Sequence, residues 1–308
     1  MNPDYLQKTI DREVHCTGIG VHSGKKVHLG IKPAPVNHGI KFTRTDLLNR
    51  PCIPARFNKV VDTSLATVIG SDGFIVSTIE HVMASFSGMG IDNALVEVDA
   101  YELPIMDGSA GPFVRLLQSA GTRIQEAPRY YFVIQQPLEL REDGKFVGLY
   151  PAPHFRITCT IEYAHPLIQT QTRDLVITAE RFAEEIADAR TFGFLHEVEY
   201  MKKYGLAQGG SLENAVVIDT DKVLNEGGLR FGDEFVRHKI LDCIGDFSLL
   251  GLPIIGHVVA RRSGHAFNHA FLEKFFKEKG AWQTCNLDAQ TTRPAESTKQ
   301  LASQARIH

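Results

Sequence analysis

Residues 237–247 read Arg237-His238-Lys239-Ile240-Leu241-Asp242-Cys243-Ile244-Gly245-Asp246-Phe247. Ile240, Leu241, Ile244 and Phe247 recur at the spacing of a helical stripe. His238, Asp242 and Asp246 fall at i, i+4 and i+8, so they line up along another face of the same helix. An i, i+4 His/Asp pair is able to place an imidazole nitrogen and a carboxylate oxygen on one metal ion, at about 2.0–2.2 Å for zinc. Taken alone, the segment also reads as a solvated helix face with a local His–Asp pair.

Helical periodicity recurs at residues 77–87, 110–120, 179–189 and 269–279, and strand-length apolar segments at 27–31, 91–98, 132–140 and 155–163. The two kinds mix without a βαβ rhythm. The expected fold class is therefore α+β, a layered αβ architecture rather than a Rossmann fold. No GxGxxG or GxxxxGK[ST] is present, so dinucleotide and P-loop readings have no support. At roughly 150 residues per domain, a chain of 308 residues suggests two domains. The charged, proline-bearing stretch Thr122–Arg129 marks the boundary. Residues 1–127 are expected to form the first domain and 128–285 the second, with 286–308 a polar tail that frays. No internal repeat is visible, although two halves of similar length leave room for one in the structure.

With 33 basic and 36 acidic side chains, the net charge of −3 offers no bulk field for nucleic acid, and no such partner is expected. The five cysteines are scattered without a CxxC pair, which fits a reducing compartment better than a zinc module or a redox dithiol. MNPDYLQKTI at the N-terminus lacks the apolar core of a signal peptide. The longest near-apolar run, residues 247–260, is too short to span a bilayer. These features point to a cytoplasmic protein.

A second helical segment, Ser77-Thr78-Ile79-Glu80-His81-Val82-Met83-Ala84-Ser85, has Ser77 or Thr78 as its expected N-cap. Adjacent helical residues point about 100° apart, so Glu80 and His81 do not easily share one metal. His81 is instead a candidate ligand, and Glu80 a candidate base reaching a water beside the metal. His81, His238 and Asp242 together supply the three ligands of a catalytic zinc site, whose fourth position stays open. The loop Arg261-Arg262-Ser263-Gly264-His265-Ala266-Phe267-Asn268 offers His265 as the acid, with Asp246 free to orient it. Ala189-Arg190-Thr191-Phe192-Gly193-Phe194 ends another helical pattern with a hydroxyl and two aromatics. Leu103–Ala110 reads as a structural turn into a helix, with Ser109 as N-cap.

STIEHVMAS, YELPIMDGSAGPFV, ARTFGF, GLRFGDEFVRHKILDCIGD and SGHAFN occur in this order, preceded by CTGIGVHSGKKVHL. This set resembles the UDP-3-O-acyl-N-acetylglucosamine deacetylases, zinc enzymes of lipid A synthesis, from about Thr9 to about Trp282. The resemblance implies two layered αβ domains, helices packed on small mixed sheets, with the active site in the cleft between them. It implies His81, His238 and Asp242 as the zinc ligands, Glu80 as general base, His265 as general acid and Asp246 as its carboxylate partner. It further implies that Thr191 bonds the reacting carbonyl oxygen and that Lys239 is a cation near the substrate. Phe192 and Phe194 match the entrance of an acyl-chain passage built by an insert within residues 194–225. Tyr163 matches an aromatic that stacks on uracil, and Arg262 a cation near the diphosphate. Departures from the family pattern fall in residues 61–71 and after Cys285.

The implied reaction removes the N-acetyl group of an acylated UDP-glucosamine, releasing acetate and a free amine. Arg261, Arg262 and Lys239 suit the anionic end of such a substrate, and the phenylalanines its apolar end. The expected cofactor is Zn2+, although two histidines and a carboxylate also suit ferrous iron. The expected partner is the small-molecule substrate alone, with a monomeric protein and at most transient membrane association. Two other readings stay open: a zinc amidohydrolase of another N-acyl substrate, and a non-catalytic UDP-sugar-binding protein.

Overall fold

The computed structural model describes residues 5–287, so the expected polar tail beyond Leu287 lies outside the described residues. The first half runs β1 (Leu6–Ile10), β2 (Val14–Ile19), β3 (Lys26–Pro33), β4 (Ile40–Arg44), β5 (Cys52–Pro54), β6 (Val60–Asp62), β7 (Val68–Ser71), β8 (Phe74–Val76), α1 (Glu80–Met89), β9 (Ala94–Val98), α2 (Gly111–Ala120) and β10 (Thr122–Pro128). The second runs β11 (Tyr130–Ile134), β12 (Leu138–Glu142), β13 (Lys145–Tyr150), β14 (Arg156–Glu162), β15 (Thr170–Val176), α3 (Ala179–Glu185), β16 (Phe192–Phe194), α4 (Leu195–Lys203), β17 (Val216–Ile218), α5 (Glu234–Ser248), β18 (Ile254–Ile255), β19 (His257–Arg261), α6 (His265–Lys277) and β20 (Trp282–Asn286).

The two halves repeat one topology. The first builds a five-stranded sheet in the order β2-β3-β9-β4-β5, and the second builds β12-β13-β19-β14-β15. In each, the last strand in sequence enters the middle and pairs parallel to one neighbour, β9 with β4 and β19 with β14, while the other pairings are antiparallel. Alternation along β14, with Ile157, Cys159 and Ile161 buried, turns one face of its sheet to the core. Each half also carries its own addition. In the first it is the small sheet β6-β7-β8, and in the second it is the parallel pair β16-β17 with α4 beside it. The layered α+β architecture expected from the sequence is the one observed.

The helices α1 and α5 pack against each other at the centre. Nearly every residue of α1 is buried, from Glu80 through Phe86, and α5 is buried along most of its length. A helix hydrophobic only on one stripe meets one neighbour; these two are enclosed on all sides. Their approach is close because Gly245 has no side chain: a Cβ there would stand 2.2 Å from the Glu80 carbonyl oxygen. Phe86 of α1 and Phe247 of α5 are fully buried, each worth roughly 1.5–3 kcal/mol of burial.

Several expectations are corrected. The helix over 77–87 starts at Glu80 with Ile79 at its N-cap and no side-chain cap. Ser77 is unavailable because its backbone pairs with Tyr101 and Leu103. The 132–140 segment is two strands in different sheets, broken at Pro137, which has no N–H to continue a ladder. Thr122–Pro128, where the sequence places the boundary, is a strand paired with β1. The 179–189 helix ends at Glu185. His265 is the first residue of α6, not part of a loop.

Gly245→Ala is expected to destabilise the fold by about 1–3 kcal/mol, the usual effect of overpacking a close contact. Urea unfolding with a midpoint equal to the parent's would show that α1 and α5 separate without penalty.

Candidate active site

His81 comes from the first turn of α1, and His238 and Asp242 from successive turns of α5, so the central helix pair assembles the trio. Their ligand atoms lie within 4.8 Å of one another, and among the described residues they are the one group of this kind. His238 Nε2 is 3.3 Å from Asp242 Oδ1, and His81 Nε2 is 3.7 Å from the same oxygen. The two imidazoles meet edge to face at 5.1 Å. His238 Nδ1–H donates to the Ala189 carbonyl at 3.0 Å, which leaves Nε2 to face the trio. Such an outer bond is the usual way a ligating histidine is oriented.

The trio fits a metal ion. Asp242 Oδ1, the oxygen that both imidazole Nε2 atoms face, is buried without a hydrogen-bond partner among the described residues. Orphaned buried polar atoms are costly unless something else satisfies them. Burial, and then the neighbouring His238, hold His81 down to about 3, so its ring is neutral and able to ligate. Burial also lowers His238. For Asp242 burial acts upward, but His238 and Lys239 outweigh it and keep the carboxylate ionised. Neutral imidazole and carboxylate oxygen are donors that zinc and similar divalent ions accept.

Glu80 precedes His81, and its carboxylate is buried. Burial pushes it up to about 7. Its Oε2 accepts the Thr67 N–H at 3.0 Å. His265 lies across the site. Its Nδ1 is 2.9 Å from Asp246 Oδ2 and 3.1 Å from Oδ1. Burial opposes the cation there, yet the Asp246 carboxylate wins and raises His265 to about 10. Asp246 Oδ2 also accepts from Asn268 Nδ2 at 2.8 Å, and Oδ1 from the Thr67 hydroxyl at 2.6 Å. Thr67 and Asn268 were not singled out from the sequence. Asn268 sits inside the SGHAFN stretch, but Thr67 stands in an aperiodic segment that carries no local signal.

Lys239 Nζ donates to Asp242 Oδ2 at 2.8 Å and stands 5.6 Å from the Phe192 ring centroid. Phe192 packs on Phe235 at 4.9 Å and reaches the His238 ring at 6.3 Å, so the aromatic stretch abuts the trio. Tyr163 joins Phe192 and Phe194 at 5.7 and 6.1 Å in one aromatic cluster. Thr191 is held by its backbone between the Gly108 carbonyl and the Val216 N–H, both at 2.8 Å. Behind it, Arg190 and fully buried Glu234 form an ion pair at 2.8 Å that ties this strand to the start of α5. Arg262 lies apart from this group, exposed, with its guanidinium beside the Gly144 turn. A cavity of about 680 Å³, lined by Met83, Phe86, Ile244 and Phe247 among others, touches none of these residues.

The family described as UDP-3-O-acyl N-acetylglycosamine deacetylase matches residues 7–277, a span that includes the whole site. The chain belongs to this family. Among curated relatives named UDP-3-O-acyl-N-acetylglucosamine deacetylase, that of Myxococcus xanthus is 53% identical over 279 residues, 91% of this chain and 89% of the relative. That of Syntrophotalea carbinolica is 52% identical over 277 residues, 90% of each chain. That of Teredinibacter turnerae is 45% identical over 297 residues, covering 96% and 98%. Each relative is covered nearly end to end, so this member of the deacetylase family matches them in its body and not in one module alone.

Asp242→Ala removes the oxygen that both imidazoles face. Metal content after dialysis is expected to fall below about a tenth of the parent's, since even outer partners of ligands are worth 10–100-fold in affinity. Parent-like metal content by elemental analysis would contradict the ligand assignment.

Proposed function

We propose that this protein hydrolyses the N-acetyl group of UDP-3-O-(3-hydroxyacyl)-N-acetylglucosamine, the committed step of lipid A biosynthesis, with Zn2+ as its cofactor. The observation that carries the reading is the arrangement of Glu80 and the His265–Asp246 pair around one His/His/Asp trio, in a chain of this family. His81, His238 and Asp242 would hold a divalent ion, which would supply Lewis acidity to the attacking water and the acetyl carbonyl.

Glu80 takes a proton from the attacking water. Near 7 it is close to the operating pH, where a general base works best. Its Oε2 is occupied by the Thr67 N–H, so Oε1 receives the proton. Thr191 donates its hydroxyl to the carbonyl oxygen as negative charge develops there, the class of effect usually worth most in acyl transfer. His265 keeps Nδ1–H on Asp246 and delivers the Nε2 proton to the departing nitrogen as the C–N bond breaks. Acetate and the free amine result. Lys239 steadies Asp242 and lends positive charge to the substrate side.

Phe192 and Phe194 receive the acyl chain, at roughly 25 cal/mol per Å² of apolar surface removed from water. The adjoining helix α4 buries none of its own residues, which leaves its apolar side chains open to such a chain. Tyr163 is assigned the uracil and Arg262 the diphosphate, on the flat ring of the one and the exposed guanidinium of the other. The reading extends to a cytoplasmic monomer of two domains, residues 1–127 and 128–285, touching membranes at most transiently. No helix among the described residues is long and apolar enough to cross one.

Purified protein is expected to release acetate from the acylated UDP-N-acetylglucosamine, to lose this activity on chelation and to regain it with zinc. Absence of release from metal-replete protein would move an amidohydrolase of another N-acyl substrate to the front. His265→Ala should lower kcat by roughly 10²–10⁴ with metal content unchanged. Near-normal turnover in that variant would end the general-acid role.

A further inference from the structure

We propose that Thr67 is a positioning residue that holds the base and the acid of the reaction in register with each other. It stands just before β7, in the addition unique to the first half, and is 2% exposed. All three of its polar groups are engaged. Its N–H donates to Glu80 Oε2 at 3.0 Å, and its carbonyl accepts from Ile79 N–H, one residue earlier, at 3.3 Å. Its hydroxyl donates to Asp246 Oδ1 at 2.6 Å and lies 3.3 Å from His265 Nδ1. One residue therefore touches the carboxylate that removes a proton, the backbone that carries that carboxylate, and the pair that returns a proton on the far side.

Chemistry explains why a hydroxyl suits this place. Ionised Asp246 only accepts hydrogen bonds, and His265 Nδ1–H and Asn268 Nδ2 already point at it. A third donor fixes the carboxylate's rotation, and with it the plane of the imidazole. The same bond anchors the 67 backbone to α5, so the N–H that orients Glu80 cannot drift away from the second half. Among the described residues, one residue bridges Glu80 to Asp246 through their hydrogen bonds, with its backbone N–H on Glu80 and its hydroxyl on Asp246. Misplacement of a catalytic group by about 1 Å is able to cost 10²-fold in rate. A threonine acting only as filler would predict no such link between its hydroxyl and turnover.

The proposal rests on the deacetylase reading, and the test separates the two. Steady-state acetate release is measured on zinc-loaded parent, Thr67→Val and Thr67→Ser, with metal content and urea unfolding recorded for each. A silent parent sinks the deacetylase reading before any variant is compared. With an active parent, Thr67→Val is expected to lose about 10–100-fold in kcat, with KM within threefold and metal content unchanged. Thr67→Ser, which keeps the hydroxyl, is expected to stay within threefold of the parent. A Thr67→Val enzyme within twofold of parental kcat overturns the role, as does a Thr67→Ser enzyme as slow as Thr67→Val. A valine variant that does not accumulate is replaced by Thr67→Ala, read by the same criteria. Failure of both to fold beside a normal Thr67→Ser enzyme would assign the hydroxyl to folding and overturn the positioning role.

Discussion

The site depends on how closely α1 and α5 approach. Gly245 lets the backbone of one helix rest on the Glu80 carbonyl of the other, and Glu80, His81, His238, Asp242 and Asp246 all stand on these two helices. The same enclosure sets the electrostatics. Burial keeps His81 neutral and lifts Glu80 toward neutrality, while the Asp246 carboxylate holds His265 cationic against the same burial. Packing and reactivity are thus one fact at this centre.

Three carboxylates within the site show how environment assigns role. Asp242, beside His238 and Lys239, stays ionised. Asp246 accepts from three donors and serves the imidazole beside it. Glu80 accepts from the Thr67 backbone and is governed by burial, which keeps its affinity for a proton high. Divergent environments for similar groups are the physical signature of acid–base division of labour.

Much of this was legible in the chain. The stripe of Ile240, Leu241, Ile244 and Phe247 identified α5, and the i, i+4, i+8 spacing put His238, Asp242 and Asp246 in line. Periodicity did not reveal that this polar face is buried, because the covering helix lies more than a hundred residues away. Thr67 was invisible for a similar reason: its partners are 13 and 179 positions distant, and no local pattern encodes either bond. The repeated strand order of the two sheets was also hidden, since topology constrains which faces are apolar and leaves side-chain identity free. The strand break after Ile134 was readable in principle, because Pro137 cannot donate to a ladder.

His81 and His238 are separated by about half of the 308-residue chain. In a disordered chain, an ion gathering them would have to close a very long loop, at an entropic penalty that grows with the logarithm of its length. The folded helices hold the ends together beforehand, so affinity for the ion is a property of the whole tertiary structure and not of a local sequence motif. An ion bound there acts in turn as a clip between the two halves, and its grip should follow the integrity of the fold in a single cooperative step.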